Sequence, residues 1–227
     1  MSKAIDINEF IPELLPIEKS YHQQINEIKK NLIKMIVNRG FILNENEDKT
    51  IEKLIKQNND DQEYEISLDN ESNYNTTIKS KKIIIKIFDY KIASINKTSP
   101  IGEFIIKNDK NYKILIVQDI NQKSSNIINS YDSPTEIFKL KDLMINIVDH
   151  ILVPTHIVLS AEESKAVMES YCAKKRDMNI IKSNDPVARY YHMKPGEIVK
   201  IIRPSTMTCE TFGYRLVIKA TQMKAKT

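Results

Sequence analysis

The chain has 227 residues, of which 41% are hydrophobic, and a formal net charge of +4. This length is enough for one large domain or two small ones with real cores, and we favour two. No apolar run approaches the ~20 residues of a membrane helix, and no N-terminal signal pattern is present. Two distant cysteines favour free thiols in a reducing compartment. We therefore expect a soluble, intracellular protein without a membrane partner.

The excess positive charge lies in the C-terminal part. Residues 1–141 carry 21 basic and 21 acidic side chains, whereas residues 142–227 carry 13 and 9. Four of the five arginines are in this second part: Arg176, Arg189, Arg203 and Arg215. Because the planar guanidinium suits a fixed carboxylate or phosphate, these arginines indicate either a docking surface or ordinary salt bridges within the fold.

The first predicted element is a helix over residues 20–39. Ser20 and Gln23 can form a capping box, and Gly40 suits the left-handed position after the helix. Apolar residues recur at three- and four-residue steps and predict a buried face: Ile25, Ile28, Leu32, Met35 and Ile36. The other faces carry Lys29, Lys30 and Lys34. A second, weaker helix is predicted over residues 48–57.

Residues 58–80 form an acidic stretch. They contain six acids and no base before Lys79, together with several Asn and Ser residues. This composition is typical of a solvated loop or a mobile excursion. We interpret the stretch as an insertion.

Two apolar, β-branched runs follow, at residues 82–89 and 113–118, and both predict buried strands. Ser99 and Pro100 start a helix between them, and residues 121–131 can form another helix after the second strand. A third strand is predicted over residues 137–140. The alternation of strands and helices favours a small α/β layer with parallel strands.

The C-terminal part begins with two more predicted strands, residues 143–148 and 156–159. Ser160 and Glu163 then form a capping box that starts a helix running through Tyr171.

The segment from Asp185 to Ser205 predicts a helix, a turn and a strand. Asp185 before Pro186 starts a short helix that ends near Met193. After a turn, residues 197–203 and 214–219 predict an antiparallel strand pair. The fold class predicted for the whole chain is an α/β N-terminal domain, a small three-layer sheet with helices, followed by an α+β C-terminal domain. We place the boundary between residues 141 and 142.

Signatures of catalysis are missing from the sequence. The chain has four glycines, so neither common Gly-rich phosphate loop can be written. The four histidines lack zinc-site spacing, and we interpret His156 as structural. Cys172 has no sequence context for nucleophilic catalysis, and we expect it to be a half-buried residue within a helix. We predict no catalytic residue, no cofactor and no metal.

Two other functions stay open. A small metal-dependent nuclease would need converging carboxylates and a lysine, for which only Asp89, Lys91 and the isolated Asp119 are available. A free DNA-binding regulatory module would show salt-dependent DNA affinity.

Several sequence blocks in the C-terminal part carry a family resemblance. They are Asn146 to His150, LVPTHIVLS from Leu152, DPVARYY from Asp185, GEIVKIIRPS from Gly196 and YRLV from Tyr214. In this order they resemble the fifth subunit shared by the eukaryotic nuclear DNA-directed RNA polymerases, which is similar to a subunit of the archaeal RNA polymerase. NLIKMIVNRGF from Asn31 and KILIVQ from Lys113 resemble the N-terminal part of that family.

The resemblance implies a non-catalytic subunit of a multisubunit RNA polymerase, present in one copy per complex. Its C-terminal assembly domain would dock on the largest subunit, and its N-terminal jaw domain would lie near downstream DNA in the assembled enzyme. Five residues fall in the assembly motifs, and the resemblance assigns them to docking or to bracing the docking surface: Arg189, Lys200, Arg203, Pro204 and Arg215. A local phosphate-facing patch on the jaw would consist of Lys79, Lys81, Lys82, Lys86 and Lys91.

The sequence departs from the family pattern at three places. It lacks the tryptophan often seen at the start of the jaw helix, it carries the acidic insertion at 58–80, and it extends beyond YRLV. The divergent N-terminal part and the AT-rich coding that its composition suggests are typical of a homologue from a large DNA virus, although a protist polymerase also fits. We expect the protein to lie with the polymerase, in the virion or viral factory if viral and in the nucleus if cellular.

Overall fold

A computed structural model of the chain describes residues 20–56, 63–68, 82–96, 98–129, 131, 134–205 and 207–220. The helices are α1 (Tyr21–Asn38), α2 (Glu47–Lys56), α3 (Pro100–Lys107), α4 (Gln122–Asn129), α5 (Leu140–Leu143), α6 (Ala161–Ser170) and α7 (Pro186–Tyr190). The strands are β1 (Glu63–Ser67), β2 (Lys82–Ile92), β3 (Tyr112–Ile120), β4 (Thr135–Lys139), β5 (Thr155–Val158), β6 (Asn179–Lys182), β7 (Ile198–Ser205) and β8 (Cys209–Ile218).

The N-terminal sheet has the strand order β1-β2-β3-β4. Strands β2, β3 and β4 are parallel, as the alternation of strands and helices predicted. One apolar cluster packs α1 and α2 against the sheet face that contains Ile83, Ile85 and Ile114. A second cluster packs Phe104 and other apolar residues of α3 and α4 against the opposite face. The predicted three-layer arrangement is confirmed.

Helix α1 begins at the predicted capping box, in which Ser20 and Gln23 each accept a hydrogen bond from the other's backbone N–H. Gly40 after the helix has φ +78°, a conformation that favours glycine. The prediction for Lys29 was wrong, because this side chain is buried and its Nζ donates to the Leu54 carbonyl at 3.0 Å. The ammonium also lies 4.5 Å from the Tyr64 ring centroid, so a lysine enters the core by capping the end of α2.

The interpretation of residues 58–80 as a solvated insertion was wrong for its middle part. Residues Glu63–Ser67 form β1, which pairs antiparallel with β2. Tyr64 and Ile66 are buried, while Glu63 and Glu65 point to the more exposed side. This alternation is the pattern of a strand with one buried face, and the acidic composition had concealed it. Residues 58–62 and 69–80 lie outside the described part of the chain.

The predicted strand at residues 143–148 is also wrong. Leu143 ends α5, and Ile147–Asp149 form a short 3-10 turn. Leu143, Met144, Ile147 and Val148 all pack on the cluster under α1. Their spacing of one, three and one residues is the spacing of one helical face and not the alternation of a strand.

The C-terminal sheet has the strand order β5-β7-β8-β6. The predicted antiparallel pairing of β7 with β8 is confirmed, whereas the short strand β6 was missed. Helix α6 starts at the predicted Ser160–Glu163 capping box. Helix α7 starts at Asp185, whose carboxylate accepts from the Val187 N–H at 2.9 Å, and it ends three residues earlier than predicted.

The two sheets lie on either side of the boundary placed at residues 141 and 142. Leu143 and Tyr190, from the C-terminal side of this boundary, are nevertheless members of the cluster under α1. The division into two domains stays a prediction. None of the described helices combines the length and the apolar character of a membrane span.

Candidate protein-docking surface

Arg189, one of the predicted docking residues, lies between the two sheets. Its Nη1 donates to Asp142 Oδ2 at 3.2 Å, and its Nη2 donates to the Ile137 carbonyl of β4 at 2.5 Å. The guanidinium carbon lies 4.9 Å from the Phe138 ring centroid. Since its donors are used within the chain, Arg189 braces helix α7 against the N-terminal sheet.

Arg39 joins the same two regions and was not singled out from the sequence. Its side chain is 1% exposed. Nε donates to the Tyr190 carbonyl at 2.7 Å, and Nη2 donates to the Arg189 carbonyl and to Glu136 Oε2, both at 2.9 Å. Nη1 donates to the Tyr112 hydroxyl at 3.2 Å. A signal was present, because this is the only arginine before residue 142.

Glu136 on β4 completes this buried network. One carboxylate oxygen accepts from Arg39, and the other contacts His192 Nδ1. Burial would raise the pKa of Glu136, but the charge of Arg39 and the contact with His192 outweigh burial and lower this pKa to about 2. His192 adopts φ +52°, a strained conformation for a residue other than glycine. The network therefore ties β4 to the turn after α7.

The remaining predicted docking residues lie on two different faces of the C-terminal sheet. Strands β7 and β8 pair without a register shift, with Arg215 opposite Val199 and Arg203 opposite Thr211. Because side chains alternate along a strand, Arg203 and Arg215 share the face of the buried Val199. Both are at least partly exposed. This face is covered in part by Ala188 of α7 and by Met193 after the helix.

Lys200 and Pro204 point to the opposite face of the sheet. Lys200 Nζ lies 4.3 Å from the Phe212 ring centroid, and Phe212 is 52% exposed. Tyr171, just after α6, contacts Tyr214 on this same face at 5.6 Å between ring centroids. The structure thus brings Arg203 and Arg215 together but separates them from Lys200 and Pro204.

Three of the lysines predicted to lie near DNA fall within the described residues, and these three have close acidic neighbours. Lys79 and Lys81 lie outside the described residues. Lys82 pairs with Glu65 and Lys86 with Glu63, each at 3.3 Å, across the β1–β2 ladder. Lys91 is opposite Asp119 in the β2–β3 register. Strand β1 therefore places carboxylates beside two of these three lysines.

The residues considered for a nuclease do not form a metal site. Asp119 is paired with Lys139 at 2.7 Å, and the pKa of its carboxyl is lowered mainly by that lysine. Within the described residues, no group of three or more His, Cys, Asp or Glu side chains is placed to hold a metal ion.

The position expected for Cys172 is wrong, because it is exposed just after α6 with φ +48°.

The candidate surface lies in a part of the chain that matches a known protein family. The family described as RNA polymerase Rpb5, C-terminal domain, matches residues 145–217. This range contains α6, α7, all but the last residue of the C-terminal sheet, and all of the predicted docking residues. The part of the chain that carries the candidate surface is therefore similar to the Rpb5 C-terminal domain.

The relatives are subunits of DNA-directed RNA polymerases. DNA-directed RNA polymerase subunit 5 of Acanthamoeba polyphaga mimivirus is 28% identical over 210 residues, which cover 90% of this chain and 97% of the viral protein. Subunit RPABC1 of polymerases I, II and III from Caenorhabditis elegans is 43% identical over 83 residues, 37% of this chain and 39% of the nematode protein. The corresponding Dictyostelium discoideum subunit is 35% identical over 109 residues, 46% and 55% of the two chains.

These matches confirm the resemblance predicted from the sequence. The chain resembles a fifth polymerase subunit of viral and eukaryotic type, and it is similar to the mimivirus subunit over nearly its whole length. The relatives are named as polymerase subunits, which agrees with the prediction of an accessory chain and not an enzyme in its own right.

Proposed function

We propose that this chain is a non-catalytic subunit of a multisubunit DNA-dependent RNA polymerase, present in one copy per complex. The observation that carries the proposal is the Rpb5 C-terminal domain at residues 145–217, supported by similarity to the viral subunit over 90% of the chain. The protein would lie inside the cell with the polymerase, in a viral factory or virion if viral and in a nucleus if cellular.

The finer proposal is that the C-terminal domain docks on the largest polymerase subunit. Arg203 and Arg215 form the centre of the docking face because they lie on one face of the sheet and are exposed at least in part. Arg189 supports this face from behind by holding α7 to the N-terminal sheet. Lys200 and Pro204 would contribute only if the partner also reaches the other face.

The N-terminal domain would form part of a jaw near downstream DNA. The pairing of Lys82 and Lys86 with acids of β1 reduces the positive potential at that edge. DNA contact would therefore occur within the assembled enzyme and depend on Lys91, Lys79 and Lys81. A free DNA-binding module would need a stronger basic footprint on the isolated chain.

The test is affinity purification of the tagged full-length chain from cells that make its polymerase. We expect the largest subunit to be recovered with the wild-type chain, and to be lost when residues 142–227 are deleted or Arg203 is changed to Glu. Lys182→Glu serves as the control, because Lys182 is exposed and lies on the other face of the sheet. Persistence of the complex after both disruptive changes would overturn the proposal.

A further inference from the structure

Arg203 and Arg215 are unlike the other three arginines of the chain. In the part of the chain that the structure describes, neither has a carboxylate partner. The other three arginines each have one: Arg39 with Glu136, Arg176 with Asp177 and Arg189 with Asp142. A guanidinium prefers a planar, two-oxygen acceptor such as a carboxylate. Two such groups on one face, without an internal acceptor, are suited to an anionic group from outside.

The two arginines flank an open position. Thr211 and Arg215 are each two residues from Gly213 on β8, and Arg203 is opposite Thr211. Along the strand direction, Arg203 therefore lies about 7 Å to one side of Gly213, and Arg215 lies about 7 Å to the other side. Gly213 has no side chain, and an added Cβ would meet nothing within 4 Å. Because Gly213 lacks a side chain, this position of the face is open. We call it the depression at Gly213, and Arg203 and Arg215 lie in the rows on either side of it.

The row of the sheet that contains Gly213 also contains Ile201 and His156. His156 on β5 and Gly213 on β8 are both opposite Ile201, which is 2% exposed. The pKa of His156 is lowered from its ordinary value, mainly by burial. The hydrogen bond with the Pro154 carbonyl and the charge of Asp185 raise this pKa, and the charges of Arg215 and Arg203 lower it. The site offers two cations on either side of an open position of the sheet, which fits a carboxylate side chain.

We propose that the depression at Gly213 receives a glutamate or aspartate side chain of a protein partner, with Arg203 and Arg215 as the hydrogen-bond donors. The identity of that partner as the largest polymerase subunit rests on the proposed function. A nucleic-acid backbone fits less well, because phosphate binding commonly uses a run of six to ten cationic contacts. This face offers two.

The first arm of the test uses charge reversal in the full-length, assembled complex. R203E/R215E should weaken association by about tenfold or more for each arginine, as expected for charged pairs in the centre of an interface. The matched control K165E/K182E makes the same change in charge at two exposed lysines away from this face. It should leave association unchanged.

A second variant separates shape from charge. G213V fills the depression while both arginines remain, and the open space at Gly213 allows the fold to accept the added side chain. We expect association to weaken although the net charge is unchanged. If G213V and R203E/R215E both associate like the wild-type chain, the depression has no role in docking and the proposal is overturned.

The third arm identifies the acceptor. In R203K/R215K the charge is kept, and a carbodiimide can couple each new amine to a carboxylate in direct contact. We expect a zero-length cross-link from position 203 or 215 to a Glu or Asp of the partner. Absence of any such link in an intact complex would overturn the proposal.

A DNA control distinguishes the other class of partner. A 20-base-pair duplex is titrated onto the isolated chain at 50 mM and 200 mM salt. If R203E/R215E abolishes a salt-sensitive affinity that K165E/K182E retains, the arginines bind phosphate and the proposal fails. If the wild-type chain recovers no polymerase subunit, the proposed function fails, but the proposal for the depression at Gly213 is not decided by that result. In that case, a cross-link from position 203 to a carboxylate of another protein would support the depression as a site for an acidic side chain.

Discussion

Arg39 joins three segments of the chain because its guanidinium donates in several directions at once. It contacts Glu136 on β4, the Tyr112 hydroxyl on β3, and the carbonyls of Arg189 and Tyr190 in α7. A charge this deeply buried is tolerated only when it is paired and its donors are satisfied. Removing one partner of Arg39 should therefore lower the free energy of unfolding by more than the loss of a surface ion pair does.

Glu136→Gln should destabilise the protein by ~3–5 kcal/mol, because it leaves the Arg39 charge buried without its counter-charge. Urea or guanidinium denaturation of the full-length chain measures the change. Glu52→Gln removes an exposed carboxylate paired with Lys56, and it should cost no more than ~0.5 kcal/mol. Equal denaturation midpoints for Glu136→Gln and the wild-type chain would show that the carbonyl acceptors alone hold Arg39.

The low pKa of Glu136 predicts a specific loss of stability in acid. The carboxyl has a pKa of about 2 in the folded chain against 4.5 ordinarily, so the folded state favours the ionised form. This stabilisation, on the order of 3 kcal/mol, is fully present above about pH 4.5 and is lost as the pH falls toward 2. Between pH 4.5 and pH 2, the free energy of unfolding should fall less steeply for Glu136→Gln than for the wild-type chain. Equal slopes for the two proteins would show that the low pKa of Glu136 does not stabilise the fold.

Among the elements, α1 and α6 begin with the same capping box but are held in place differently. Helix α1 buries eight residues, whereas α6 buries none. A helix of ten residues is marginal in water without packing. Helix α6 therefore depends more on its cap than α1 does.

Ser160→Ala should remove about 1 kcal/mol of local stability from α6. Hydrogen exchange of the amides in residues 161–170 should become clearly faster, with little change elsewhere. In the matched variant Ser20→Ala, the amides of α1 should stay protected because its buried face holds the helix. Unchanged hydrogen exchange in α6 after Ser160→Ala would contradict its dependence on the cap.

The elements that sequence reasoning predicted are those with local signals. Ser20 with Gln23, Ser160 with Glu163, and Asp185 with Pro186 fix helix starts through hydrogen bonds within a few residues. The prediction missed strand β1 because the acidic composition of residues 58–80 masks the alternation of Glu63, Tyr64, Glu65 and Ile66. The burial of Lys29 depends on a carbonyl 25 residues away, which no local pattern encodes.

The candidate surface was predictable only in part. The concentration of arginines after residue 142 pointed to Arg203 and Arg215, and the resemblance supplied their role. Which face of the sheet each residue occupies follows from strand parity once the ladder is known. The internal use of Arg189 required the tertiary contact with Asp142, 47 residues away.

At the scale of the whole molecule, the N-terminal sheet shares one apolar cluster and one buried polar network with α7 and the turn after it. Tyr190 packs under α1, its carbonyl accepts from Arg39, and its hydroxyl accepts from Asn38 at 2.8 Å. Burial of this kind couples the unfolding of both parts. We therefore expect them to unfold together.

Calorimetry of the full-length chain should show one unfolding transition, with a van't Hoff enthalpy close to the calorimetric enthalpy. The reason is that unfolding the N-terminal sheet or displacing α7 exposes the shared cluster and leaves Arg39 or Glu136 without partners. Arg39→Met, which removes the charge at the junction, should bring the two parts closer to separate transitions. Two resolved transitions in the wild-type chain would contradict this coupling.

Two of the acceptors of Arg39 are main-chain carbonyls, and this has a consequence for how the sequence can change over time. The side chains at positions 189 and 190 can drift without loss of these two hydrogen bonds, because every residue type supplies a carbonyl. Positions 39 and 136 have no such freedom, since each needs the other's charge. In a set of related sequences, we therefore expect the pair 39 and 136 to covary, whereas the arginine can be retained across substitutions in the helix it holds.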